Sequence, residues 1–201
     1  MRIYLVRHGQ SRWQVERNDD DWNSPLTALG QQQAHHLATW LANGPIIDNN
    51  TRVDVQSLHA SPLLRAQQTA DPLTQALHLP LITDETLSEA AFLVSAHLAS
   101  ALTPAHYPPV HTLSETYTAF KNQAQCALAN LVEMAENHHG SVLAIAHGGL
   151  ISTVLRLAVG SDSVSFWLYN TTLNLIEWKR GRWHLVHLNF WDHLPPPLRT
   201  Y

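Results

Sequence analysis

The chain has 201 residues and one cysteine, with 12 Lys and Arg against 16 Asp and Glu for a net charge of −4. That length fits one domain with a large core, and the lone Cys126 excludes an intramolecular disulfide. With no block of like charge and no apolar run near the ~20 residues of a bilayer span, neither nucleic acid nor a membrane is an expected partner.

Met1-Arg2-Ile3-Tyr4 runs straight into a strand pattern without a secretory leader, so the expected location is the cytoplasm. The stretch Ile3-Tyr4-Leu5-Val6-Arg7-His8-Gly9-Gln10-Ser11 is an apolar, β-prone run that ends in a cation and an imidazole, followed by a glycine. A short helix is expected from Ser11 to about Val15. Thr27 is placed to cap a helix carrying Ala34, Leu37, Ala38 and Leu41 on one face and ending at Gly44-Pro45. Arg52 to Ala60, with Val53 and Val55, reads as a strand. Ser61 is the expected N-cap and Pro62 the first residue of the next helix, which puts Arg65 in a first turn, where free N–H groups already favour an anion.

Leu79 to Thr83 gives another short strand. Residues from about 84 to 115 are the least regular and are expected to form a lid over a pocket, including the loop that begins Thr103-Pro104. A long helix follows from Ser114 to His139 with Gly140 as its stop. Ser141 to Ala146 then repeats the opening device, an apolar strand delivering His147-Gly148-Gly149 into a helix closed by Gly160. Thr172–Trp178 and Trp183–Leu188 flank Lys179-Arg180-Gly181-Arg182 as a hairpin, and the prolines after Leu194 predict a loose tail.

This alternation predicts an α/β three-layer sandwich, a mostly parallel sheet with helices on both faces and an antiparallel C-terminal edge hairpin. Ligands of such sheets bind outside the carboxyl ends of the strands, so two neighbouring strands ending in His-Gly would bring His8 and His147 to one pocket. The fourteen histidines are scattered, none in His-Glu-x-x-His spacing, and no metal or other cofactor is expected.

The order of motifs resembles the histidine phosphatase superfamily, also called phosphoglycerate mutase-like. Arg7-His8-Gly9 is similar to its nucleophile motif. Ser24-Pro25-Leu26-Thr27-Ala28-Leu29-Gly30 and Ser61-Pro62-Leu63-Leu64-Arg65-Ala66-Gln67-Gln68-Thr69-Ala70 are similar to its second and third blocks. Leu87-Ser88-Glu89 resembles the block of the proton donor, and His147-Gly148-Gly149 the second histidine block. The stretch from Asn170-Thr171-Thr172 to His193-Leu194 is also similar.

The resemblance implies that His8 is the nucleophile and becomes phosphohistidine, that Arg7, Arg65 and His147 cradle the phosphate, and that Glu89 is the general acid and then the base for water. Gln14 stands where the family commonly has a phosphate-site asparagine and offers the same amide. After the acid the chain reads Ala90-Ala91-Phe92-Leu93 where many relatives have glycine and acid, so Glu85 and Glu115 stand as reserve proton donors.

The implied activity is metal-independent hydrolysis of a small-molecule phosphate monoester, with phosphate or another oxyanion in the pocket. Two alternatives stay open at this level. One is a phosphoglycerate mutase-type isomerase. Mutases usually carry an arginine and a tyrosine just after the acid, where this chain has Ala90 and Phe92. The other is a phosphate-sensing or protein-binding module impaired in catalysis.

Overall fold

In the computed structural model, which describes residues 1–16, 22–47, 52–100, 103, 112–137 and 140–201, the alternation of the first strand sets the layers. Strand β1 (Arg2–Arg7) sends Ile3 and Leu5 to one apolar cluster and Tyr4 and Val6 to the other. Strand β4 (Ser141–Ala146) does the same with Val142, Ala144 and Ala146 against Leu143 and Ile145. Both strands are therefore buried on two faces, as near-continuous apolar runs require.

Helices α4 (Glu115–Asn137) and α5 (Gly148–Val159) cover the first face; α2 (Ala28–Ala42) and α3 (Leu64–Leu77) cover the second. The sheet adds β2 (Ser57–Ala60), β3 (Leu81–Thr83), β5 (Leu173–Lys179) and β6 (Arg182–Phe190) in the order β3-β2-β4-β1-β5-β6. Strands β1 to β4 are parallel, and β5 and β6 form the antiparallel edge hairpin. Its turn places Arg180 and Gly181 at φ 53° and 75°, the left-handed pair of the favoured two-residue hairpin loop.

Several local expectations hold. A short helix α1 spans Arg12–Glu16, and the Thr27 side chain caps α2 by accepting from Gly30 N–H. Gly160, at φ 70°, ends α5.

Three expectations are corrected. The sheet strand begins at Ser57 and not at Arg52, which makes only an isolated antiparallel bridge to Ile46, and Val53 is buried in the same apolar cluster as α2 and α3 outside the sheet ladder. Helix α3 starts at Leu64 behind Leu63, which makes no side-chain cap, because the Ser61 hydroxyl is turned to His147. The tail is not loose: the Leu198 carbonyl accepts from Gln33 Nε2 at 2.6 Å, and the Thr200 carbonyl accepts from Asn170 N–H at 2.9 Å. Positions 101–102 and 104–111 of the expected lid and 138–139 of the expected long helix lie outside the described residues. Among the described residues, no helix is long and apolar enough to cross a membrane.

Gly9 and Gly30 meet back to back, and a Cβ on Gly9 would stand 2.6 Å from the Gly30 carbonyl oxygen. A Cβ on Gly30 would collide with the Gln10 backbone. Gly30→Ala is expected to cost about 1–3 kcal/mol in urea unfolding, the usual range for overpacking, because neither backbone can yield cheaply. A loss below about 0.5 kcal/mol would show that the loop after β1 adjusts freely.

Candidate active site

Strands β2, β4 and β1 are neighbours, so their carboxyl ends bring Ser61, His147 and His8 together from three distant parts of the chain. The backbone N–H of His8 donates to the Ala146 carbonyl at 2.9 Å, continuing the β1–β4 ladder into the site. The two imidazoles lie with ring centroids 5.0 Å apart. His8 is 4 % exposed and His147 0 %.

The His8 ring is oriented from both ends. Its Nδ1 lies 2.7 Å from the Gly9 carbonyl oxygen, which can only accept, so Nδ1 carries the proton. Nε2 is then the lone-pair nitrogen, and Arg65 Nε–H donates to it at 3.2 Å. Burial first, then the charges of Arg65 and Arg7, holds the His8 pKa well below the ordinary 6.5 and keeps the ring neutral. Burial likewise lowers the pKa of His147, with His8 and the same two arginines adding to it.

Arg65 enters from the first turn of α3 and is 3 % exposed. Its Nη1 donates to the Trp22 carbonyl at 2.7 Å, and the Trp22 ring lies 5.3 Å from the guanidinium carbon. Burial lowers its pKa to about 10, with Glu89 opposing and Arg7 reinforcing, so it stays cationic at neutral pH. Arg7 donates from Nη1 to the Leu168 carbonyl at 2.5 Å and sits 5.0 Å from the centre of the Tyr201 ring.

Glu89 is held at the N-terminal end of α5. One carboxylate oxygen accepts from Ala90 N–H at 3.0 Å and Leu150 N–H at 3.1 Å; the other accepts from Gly149 N–H at 2.9 Å. A Cβ on Gly149 would stand 2.5 Å from the carboxylate, so only glycine permits this approach. Burial is the largest influence and raises the carboxyl pKa above 4.5, while the backbone donors and both arginines pull it down.

Arg7, His8, Gln14, Arg65 and Glu89 line one cavity of about 760 Å³, walled further by Trp13, Trp22, Phe92, Leu93, Phe166 and Tyr201. Residues 89–95 supply one continuous side of it. His147 packs against His8 but does not reach the cavity surface. The Gln14 amide lines the cavity yet is engaged by Asn170 and Ser11, accepting from Asn170 Nδ2 at 3.2 Å and Ser11 N–H at 3.0 Å. Glu85 and Glu115 are exposed and outside the lining. Among the described residues no three His, Cys, Asp or Glu side chains gather into a set that could hold a metal ion.

A neutral lone-pair nitrogen, two guanidiniums and a carboxyl with a raised pKa converge on one space. The family described as Histidine phosphatase superfamily (branch 1) matches residues 3–190. The chain belongs to that superfamily. Among its curated relatives in the histidine phosphatase superfamily, the uncharacterized phosphatase PhoE of Bacillus subtilis (strain 168) is 26% identical over 196 residues, covering 96% of each chain. The probable phosphoglycerate mutase GpmB of Enterobacter sp. (strain 638) is 29% identical over 199 residues, covering 91% of this chain and 87% of the relative. The solved structure of Bacillus stearothermophilus YhfR superposes with a TM-score of 0.71 at 23% identity, covering 96% of this chain and 98% of that one. This likeness supports the phosphoglycerate mutase-like fold.

Four supporting residues carry no site role in the pattern reading. The Ser61 hydroxyl lies 2.8 Å from His147 Nε2 and accepts weakly from Leu63 N–H. The hydroxyl oxygen has a second lone pair, so the hydrogen between it and Nε2 belongs to either group. Asn170 donates from Nδ2 to the His8 carbonyl at 2.8 Å, and Thr171 N–H donates to the Arg7 carbonyl at 2.8 Å. Thr171 adopts φ 54°, a left-handed conformation costly for a β-branched residue, where it grips the end of β1. Tyr201 reaches the cavity because the tail is anchored. Asn170-Thr171 was visible as part of a family block; Ser61 and Tyr201 carried signals of a different kind, a helix cap and a proline-rich end.

Proposed function

We propose that this chain is a cytoplasmic, metal-independent phosphomonoesterase acting through a phosphohistidine on His8 Nε2. The observation that carries the reading is the fixed His8 tautomer, with Nδ1 tied to the Gly9 carbonyl and Nε2 turned toward Arg65. In the first step Nε2 attacks phosphorus, the ester P–O bond breaks, and Glu89 gives its proton to the leaving oxygen. In the second step water attacks phosphorus, Glu89 takes the water proton, and the N–P bond breaks to release phosphate. Arg7 and Arg65 supply the positive charge that phosphoryl transfer needs on its equatorial oxygens. His147, packed against the nucleophile, completes the phosphate cradle, and Gln14 joins the phosphate site if its amide leaves Asn170.

The named relatives include both a phosphatase and a probable mutase. Ala90 and Phe92 line the cavity just after Glu89, and neither can pair with a substrate carboxylate, which favours hydrolysis. Incubation with p-nitrophenyl phosphate in EDTA, beside a 3-phosphoglycerate isomerisation assay, separates the readings. Hydrolysis without isomerisation is expected. Isomerisation without hydrolysis supports the mutase, and neither activity supports an impaired binding module.

The pH profile follows from the directions of the shifts. His8 must be neutral to attack, and its lowered pKa keeps it neutral below pH 6.5. Glu89 must be protonated to donate, and its raised pKa keeps the proton to a pH above 4.5. Turnover of alkyl phosphates should therefore be greatest in acid and fall as pH rises through the Glu89 pKa. Activity that instead climbs with pH through 6.5 would point to a histidine that must first lose a proton.

A further inference from the structure

Each of the two proposed phosphate arginines carries an aromatic ring on its face. The Arg65 guanidinium carbon lies 5.3 Å from the centre of the Trp22 ring, and that of Arg7 lies 5.0 Å from the centre of the Tyr201 ring. Both rings also line the cavity. A ring attracts a cation through its π face and takes up none of the N–H groups, which lie in the guanidinium plane and stay available to oxygen ligands. A carboxylate in the same place would occupy those N–H groups and offset the charge. The Trp22 contact is backed by its own carbonyl, which accepts from Arg65 Nη1 at 2.7 Å. Tyr201 comes from the far end of the sequence and lies beyond the residues 3–190 that the family matches, so this contact is a feature of the chain and not of the matched pattern.

Tyr201 is 59 % exposed, yet its ring is fixed. Trp167 lies against it at a centroid distance of 5.4 Å with 37° between the planes, and Tyr169 meets it edge-on at 5.8 Å. The residues before it are tied down one by one. Arg199 Nε donates to the Leu194 carbonyl at 3.0 Å, and its guanidinium carbon lies 4.7 Å from the centre of the Trp191 ring. The Thr200 hydroxyl accepts from Gln33 Nε2 at 2.8 Å and donates to Asn170 Oδ1 at 3.0 Å. Asn170 is also the residue whose Nδ2 holds the His8 carbonyl. One asparagine therefore registers the backbone of the nucleophile against the segment that carries Tyr201.

Resting on the phosphate site of the reading above, we propose that Tyr201 is a positioning residue for Arg7: its ring holds the guanidinium by the face so that the edge meets the phosphoryl oxygens. Arg7 is then restrained from two directions, by the Leu168 carbonyl that accepts from Nη1 at 2.5 Å and by the ring. A guanidinium restrained in this way loses less freedom when the anion arrives, which strengthens binding without a new contact to the anion. The ring acts through Arg7 and not on the leaving group. Its influence is therefore the same for every ester and for inorganic phosphate alone.

The test is the dissociation constant of inorganic phosphate, read by titration calorimetry, which needs no turnover. Tyr201→Phe keeps the π face and should bind within about twofold of the wild-type chain. Tyr201→Leu keeps apolar bulk without that face and should bind about three- to fivefold more weakly, the size of a cation–π contact at an exposed site. The same factor should appear in KM for p-nitrophenyl phosphate and for an alkyl phosphate, with kcat little changed. In an Arg7→Met background the Leu substitution should alter affinity by less than about 1.5-fold, because the coupling it removes is already gone. Phosphate binding by Tyr201→Leu as tight as that of the wild-type chain overturns the proposal. So does a loss just as large in the Arg7→Met background, or one confined to the KM of p-nitrophenyl phosphate, which would make Tyr201 a wall for the leaving group. A wild-type chain that binds no inorganic phosphate overturns it together with the phosphate site. If phosphate binds with the expected pattern but no ester is hydrolysed, the positioning role stands and the phosphatase reading alone fails.

Discussion

His8→Ala is expected to lower kcat for phosphate release by at least about 10⁴-fold and to remove the covalent phosphate from enzyme quenched during turnover. A residue that forms the intermediate cannot be replaced by its neighbours, and losses of this size are usual when the nucleophile of a coupled set is deleted. The substitution should leave the fold standing. The ring contacts His147 and accepts from Arg65, but the backbone of position 8 is held independently by the Ala146 carbonyl and the Asn170 amide. The wild-type adduct should be acid-labile and alkali-stable, as an N–P bond is. An alkali-labile phosphoserine, or a hydroxylamine-sensitive phosphoaspartate, would place the intermediate elsewhere. So would an adduct that persists in His8→Ala.

The same geometry shows why the sequence reveals the strand ends so readily. Apolar runs ending in His-Gly announce β1 and β4 without any neighbour, and the parallel pairing that aligns Arg7 with Ala146 follows from helices intervening between them. Arg65 and Glu89 carry signals of their own, a helix start and a family block, and both line the cavity with His8.

What escapes is whatever depends on a side chain choosing between two partners. Ser61 is a sound N-cap by type, yet an imidazole 86 positions away takes its hydroxyl, and the helix begins later as a result. Val53 and Val55 alternate like a strand because they pack on helices, and periodicity cannot tell that from a ladder. The prolines near the end forbid a long helix or strand, but they do not forbid order. Gln33, buried at 0 % exposure, needs the tail's carbonyl at Leu198 for its amide, and no local pattern shows a need created from the other end of the chain.

Glu89→Gln is expected to slow hydrolysis of an alkyl phosphate by about 10²–10³-fold while slowing p-nitrophenyl phosphate far less. The difference arises at the leaving oxygen: an alkoxide needs a proton as the P–O bond breaks, and nitrophenolate scarcely does. Glutamine keeps the bonds from Ala90 and Leu150 N–H through its carbonyl oxygen, while its NH2 faces the Gly149 N–H, which loses its acceptor. Side-chain size is conserved at the cost of one backbone bond, and the transferable proton is lost. Because Glu89 is also the proposed base for water, the variant should let phosphoenzyme accumulate from p-nitrophenyl phosphate, giving a burst of nitrophenol followed by slow turnover. Equal slowing of both substrates with no burst would remove Glu89 from proton transfer. The opposing influences on its carboxyl, burial against two backbone donors and two arginines, would then be read as a structural anchor holding the 89–95 wall of the cavity to α5.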